Sequence, residues 1–186
     1  MFCERLTTNL ASCRLAIIGL PGSGKSTIGR QLASRLEVDF YDSDAVIERQ
    51  SGCSIREFFE RDGEPAFRDI EHAVMDDLTQ KSECVISTGG GVILHPGSRA
   101  MLRARCCTVY LHSQPEDIFR RVRKDRNRPL LQVADPLEKL QHLYAERDPL
   151  YRETASFVVE TGRPSVFSVI QTILAQVEPN GPNLQA

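Results

Sequence analysis

Two rhythms of apolar residues run along the chain. Five short stretches are continuously or almost continuously hydrophobic: residues 13–18, 38–41, 84–87, 107–111 and 157–159. Runs of this length, rich in β-branched residues, read as strands buried on both faces. Between them the apolar residues recur every three or four positions. Ile28, Leu32 and Leu36 share one helical face, and Phe67, Ile70, Val74 and Leu78 share another within a helix expected over 64–81. Shorter helices are expected from Ala45 to about Ser51, from Ser54 to Asp62, and over 98–104, 115–123, 136–147 and 164–177. Ser54 followed by Glu57 has the spacing of a capping box. Strands alternating with helices predict an α/β domain over 13–177, built as three α/β/α layers on a five-stranded parallel sheet. Residues 1–12 and 178–186 read as flexible arms, the second holding two prolines and a glycine.

In a parallel sheet of this kind, ligands bind beyond the carboxyl ends of the strands, and the polar residues with chemistry to offer fall there. After the first run comes Gly19-Leu20-Pro21-Gly22-Ser23-Gly24-Lys25-Ser26-Thr27, which fits G-x-x-x-x-G-K-[ST] between a strand and a helix. Gly22, Ser23, Gly24, Lys25, Ser26 and Thr27 are the candidate nucleotide-binding residues. Glycines let successive N–H groups face an anion at a helix N-terminus. Lys25 would reach the β- and γ-phosphates, and the Ser26 hydroxyl would ligate Mg²⁺. A glycine turn that only caps a helix would not require all the fixed positions and both flanks. After the second run stand Asp42-Ser43-Asp44, and after the third Gly89-Gly90-Gly91. The two aspartates suit either a metal and a reacting hydroxyl or a helix N-cap. Three consecutive glycines cost too much entropy for a mere turn, so close approach of a ligand is the better reading.

Composition narrows the class without choosing the reaction. The 186 residues carry 23 Lys and Arg against 25 Asp and Glu, so no long-range field favours nucleic acid or an anionic membrane. No apolar run approaches the ~20 residues that span a bilayer, and the first dozen lack an apolar signal region. Six cysteines without a CxxC pair argue for reduced thiols in a cytoplasm rather than a disulfide or metal framework. No long heptad is visible, which favours a monomer.

Taken in order, Gly19 to Thr27, Asp42-Ser43-Asp44, Phe67-Arg68-x-x-Glu71, Gly89-Gly90-Gly91, Arg128-Pro129-Leu130-Leu131 and Arg147-x-Pro149-Leu150-Tyr151 resemble the shikimate kinase family. The resemblance covers about residues 13–176. It implies a nucleoside-monophosphate-kinase-like fold with strand order 2-3-1-4-5 and a lid at about 122–134. It implies transfer of the γ-phosphoryl group of ATP to the 3-hydroxyl of shikimate, with Mg²⁺. By the same resemblance Asp44 contacts the reacting hydroxyl, as base or as orienting group, and Asp42 holds Mg²⁺ beside Ser26. Arg68, Arg147 and Gly89 to Gly91 bind shikimate, Arg128 clamps the transferring phosphate, and Arg121 and Arg163 flank the adenine. Lys25, Asp44 and Arg128 are thus the expected catalytic set.

The residues themselves fit that assignment without demanding it. Guanidinium forks match a carboxylate geometrically. Yet Arg68 has Glu64 and Glu71 at helical spacing, and Arg147 has Glu146 and Asp148 beside it, so either could be an ordinary paired surface charge. Ser87-Thr88 stands where many P-loop enzymes carry an acidic metal residue, which shifts that role to Asp42. Two other functions are conceivable: a kinase of another polyol acid such as gluconate, and a non-catalytic nucleotide-binding module. Arg68, Arg147 and the triple glycine disfavour the first. The presence of Asp44 and Arg128 disfavours the second.

Overall fold

A computed structural model describes residues 14–123 and 135–177. Arg128, most of the segment expected as a lid, and both terminal arms lie outside the described residues. The strands are β1 (Arg14–Ile18), β2 (Asp39–Asp42), β3 (Cys84–Ser87), β4 (Cys107–His112) and β5 (Phe157–Glu160). They form one parallel sheet in the order β2-β3-β1-β4-β5, as the resemblance implies. The helices are α1 (Lys25–Leu36), α2 (Ser43–Ser51), α3 (Ile55–Leu78), α4 (Pro96–Arg105), α5 (Pro115–Val122), α6 (Pro136–Thr154) and α7 (Val166–Val177), with a 3₁₀ turn at Val92–Leu94.

The period-two geometry of the strands splits the core into two layers. Leu15, Ile17, Val85, Val109 and Leu111 face Ile28 and Leu32 of α1 and Val169, Ile170 and Ile173 of α7. Ala16, Ile18, Ile86 and Tyr110 face the opposite side, where α3, α4, α5 and α6 supply Phe67, Met75, Leu102, Ile118 and Leu140. The central strands β1, β3 and β4 are therefore covered on both faces and carry almost no polar alternation. The edge strands β2 and β5, also expected to be buried on both faces, keep exposed positions such as Asp39 and Val158.

Several boundaries differ from the sequence reading, each for a local reason. The helices expected over 54–62 and 64–81 form one run ending at Leu78, broken by a kink at Gly63, whose φ of 80° is left-handed. The expected capping box is present: the Ser54 hydroxyl accepts from Glu57 N, and Glu57 accepts from Ser54 N at 2.7 Å. α2 begins two residues early, because Asp42 accepts from Asp44 N and Ala45 N and so caps it. α6 runs seven residues past its expected end, straight through Pro149. Proline removes an internal helix hydrogen bond and normally costs ~3 kcal/mol there; buried Leu140, Leu143, Tyr151 and Thr154 hold the helix against the sheet on either side of it.

Candidate active site

The carboxyl ends of β1, β2 and β3 deliver the candidate residues to one cleft. Gly22 and Gly24 adopt φ of 86° and 98°, angles open to glycine, and they turn the loop from β1 into α1. Lys25 is buried, and its Nζ donates to the carbonyls of Gly19 and Leu20 at 2.9 and 3.0 Å. Gly22, Ser23, Gly24 and Thr27 line a cavity of about 240 Å³, together with Arg121, Thr161 and Pro164. Arg121 is fixed there by Nη2 donating to Ser113 Oγ at 2.7 Å and Nη1 to the Thr161 carbonyl at 3.3 Å. Arg163 is exposed and does not line this cavity, although its neighbour Pro164 does. Ser23 Oγ is buried within the loop, close to Gly19, with no hydrogen-bond partner.

Ser26 points the other way, toward β2. Its hydroxyl donates to Asp42 Oδ2 at 2.6 Å and lies 3.3 Å from Ser87 Oγ. Of the two roles set against each other in the sequence, the structure shows the cap: one Asp42 oxygen caps α2, while the other accepts from Ser26. Ser87, at the end of β3, supplies a third oxygen where an acid was looked for. Hard oxygens of this kind suit Mg²⁺, which keeps several waters and takes one or two carboxylates plus substrate phosphates. Among the described residues no group of three or more His, Cys, Asp or Glu is arranged to hold a metal.

In the first turn of α2, Asp44 is largely buried. Burial pushes its carboxyl above the ordinary aspartate range, and neighbouring Asp42 and Glu48 push the same way; Lys25 and Arg68 oppose them. It converges with Glu71 on Gly89: a Cβ at that glycine would lie 2.6 Å from Asp44 Oδ1 and 2.7 Å from Glu71 Oε1. Gly89 N is held by donating to Ser43 Oγ at 2.9 Å.

Arg68 does pair with Glu64 and Glu71, at 2.9 and 2.6 Å, yet it is not a surface charge. Its side chain is only 16% exposed, and its guanidinium lies against Gly91 where a Cβ would clash. Glu71 is almost fully buried, and burial raises its carboxyl while Arg68 pulls it down. Arg147 reaches the same loop from α6, donating from Nη1 to the Gly90 carbonyl at 3.2 Å. Its Nε is buried without a hydrogen bond and has Glu146 only at 3.7 Å. Asp148, its other sequence neighbour, is taken by Tyr110 and Arg152 instead.

The cleft therefore unites Lys25, Ser26, Asp42, Asp44, Arg68, Gly89, Gly90, Gly91 and Arg147. Sequence reasoning missed Ser43, Ser87, Ser113 and Thr161 as supporting groups, because single hydroxyl residues at strand ends carry no pattern. Glu71 stood in a recognised motif but was weighed only as an ion-pair partner. Its spacing three residues after Arg68 names the partner, but only the structure shows that the carboxylate is buried.

With this geometry in hand, comparison with known proteins is direct. A family model described as shikimate kinase matches residues 21–178. A shikimate kinase of Paracidovorax citrulli is 54% identical over 168 residues, covering 89% of this chain and 92% of that protein. One of Burkholderia thailandensis is 51% identical over 164 residues, covering 88% and 89%. Among solved structures, the shikimate kinase from Acinetobacter baumannii in complex with shikimate superposes with a TM-score of 0.85 at 40% identity, covering 94% of this chain and 96% of that one. A gluconokinase from Sinorhizobium meliloti shares the fold, with a TM-score of 0.61 at 18% identity over 94% of this chain and 96% of that one.

Proposed function

The chain belongs to the shikimate kinase family, and on that footing we propose a division of labour among the residues of the cleft. The reaction is transfer of the γ-phosphoryl group of ATP to the 3-hydroxyl of shikimate, giving shikimate 3-phosphate and ADP, a step toward chorismate and the aromatic amino acids. The observation that carries the division is convergence on Gly89 to Gly91. A phosphate loop, the Asp44 carboxylate and two guanidinium groups, from four separate parts of the chain, meet within one loop's reach.

On the donor side, the amides after Gly22 and the N-terminus of α1 receive the triphosphate, whose charge the helix end favours. Lys25 trades its bonds to the Gly19 and Leu20 carbonyls for phosphate oxygens. Thr27 and Arg121, which line the cavity, take the nucleoside end, with Arg163 as a further adenine-side residue. Ser26 and Asp42 would hold Mg²⁺, which neutralises charge on the β- and γ-phosphates when bound. Arg128, outside the described residues, meets the transferring phosphoryl group from the segment at about 122–134, which acts as the lid.

On the acceptor side, Arg68 and Arg147 take the shikimate carboxylate, and the glycine loop lets the ring lie against backbone. Asp44 accepts a hydrogen bond from the 3-hydroxyl and takes its proton as the new O–P bond forms and the bond to ADP breaks. The transition state of phosphoryl transfer is loose, so little deprotonation is needed before attack. A carboxyl raised by burial is a better proton acceptor at that moment. The enzyme works as a cytoplasmic monomer without a nucleic-acid partner. Near-balanced charge supports this, as do the free thiols of Cys53 and Cys84. Among the described residues no helix is long and apolar enough to cross a membrane.

Phosphorus NMR of the reaction mixture tests the regiochemistry. The expected product is one phosphate ester whose phosphorus couples to the proton on carbon 3. An ester at another hydroxyl, or inorganic phosphate alone, would overturn the reading.

A further inference from the structure

One buried polar cluster has no part in the scheme above. Tyr110 and His112 alternate on β4 and so point to the same face of the sheet, toward α6. Tyr110 OH donates to Asp148 Oδ1 at 2.9 Å, and the His112 Nε2 lies 3.0 Å from Tyr144 OH. Tyr144 and Asp148 are one turn apart, on one row of α6. The adjacent row carries Arg147 and Tyr151, also one turn apart, and both donate to the Gly90 carbonyl, at 3.2 and 2.5 Å. The Tyr110 and Tyr151 rings stack at 4.8 Å, which ties the two rows together.

α6 needs such ties at this point. Pro149 has no N–H, so the bond to the Ala145 carbonyl is absent in the turn that carries Arg147. The turn of α6 that carries Arg147 is therefore held by one backbone hydrogen bond fewer than its neighbours. Tyr144 lies ahead of that missing bond and Tyr151 beyond it, so the side chains bridge what the backbone leaves open.

We propose that His112 is a positioning residue for the acceptor half of the site: by holding Tyr144 it sets the turn of α6 from which Arg147 and Tyr151 meet Gly90. The ring's chemistry suits the task. Nδ1 lies 2.7 Å from the Glu160 carboxylate, which only accepts, so Nδ1 carries the proton. In the neutral ring Nε2 then accepts from the Tyr144 hydroxyl. Glu160 is 68% exposed while His112 is 5% exposed. Solvent screens the contact to the exposed Glu160 more than the bond to the half-buried Tyr144.

The inference rests on shikimate as acceptor, and steady-state kinetics with shikimate and ATP varied in turn test it. His112→Leu is expected to raise the shikimate KM about fivefold or more, with kcat and the ATP KM within about twofold of the parent. Tyr144→Phe, which removes only a hydroxyl, moves the same constant in the same direction. His112→Gln, whose carbonyl can still accept at that place, restores most of the loss. A folded His112→Leu with an unchanged shikimate KM, or an equal rise in the ATP KM, would overturn the proposal. If His112→Leu does not fold, Tyr144→Phe decides by the same criteria. A parent enzyme that does not turn over shikimate would remove the functional reading itself, and this inference with it.

Discussion

Asp44→Asn is expected to lower kcat about a hundredfold or more while leaving ATP affinity within about twofold of the parent. The amide keeps the size and one acceptor oxygen but cannot take the proton of the 3-hydroxyl. Asp44 belongs to α2 rather than to the loop that surrounds the phosphates, so the donor half stays intact. Isothermal titration with a non-hydrolysable ATP analogue and a turnover assay measure the two quantities on one sample. Unchanged turnover would take Asp44 out of the mechanism.

The same substitution carries a stability signature of opposite sign. Burial raises the Asp44 carboxyl pKa in the folded state, so between its unfolded and folded values the native protein holds more protons than the unfolded chain. Stability is then fullest below the ordinary aspartate range and falls as pH rises through the raised value. At neutral pH the ionised group is a burden, and Asp44→Asn melts at or above the parent's temperature. For turnover the limb runs the other way: activity falls as pH drops through that raised value, because the proton acceptor is filled. A less active, equally or more stable variant separates a catalytic carboxylate from a structural one.

Arg68→Lys is the second large effect, an expected rise of about tenfold or more in the shikimate KM with less change in the ATP KM. Lysine keeps the charge but cannot bind a carboxylate with two parallel N–H groups. It is also a cleaner probe than alanine. Arg68 bonds the almost fully buried Glu71 at 2.6 Å, and removing the whole cation would leave a buried carboxylate unpaired, at a cost of about 3–5 kcal/mol. Steady-state kinetics with each substrate varied checks the split. A change confined to the ATP KM would place Arg68 in the wrong half of the cleft.

How far these sites could be read from the chain follows from the physics of each. Buried strands declare themselves through unbroken apolar runs, so the sheet was legible, and the phosphate loop was too, because its flanks and its glycines agree. Strand order was not legible from periodicity, since Ile17 and Val85 look alike whichever neighbours they have; it came through the resemblance of the motifs. α6 is expected only to residue 147, and tertiary packing of Leu143 and Tyr151 on either side of Pro149 accompanies its continuation to Thr154. Arg68 shows the limit most sharply. Its spacing to Glu64 and Glu71 suggested a solvated pair, and those pairs exist, yet burial against Gly91 gives the guanidinium another use. Local spacing names partners; it does not say whether water is present. The support that Ser87 gives Ser26, and that Tyr110 and His112 give α6, joins residues far apart in sequence and has no local signature at all.

The central claim is that the phosphate loop and the glycine loop are donor and acceptor halves of a single site selective for shikimate. The most direct test is ADP release by the purified protein with ATP and Mg²⁺, with shikimate, quinate and gluconate offered separately. The account predicts rapid release with shikimate, far slower release with the other two, and little without an acceptor. ADP release that is independent of shikimate, or fastest with gluconate, would contradict it.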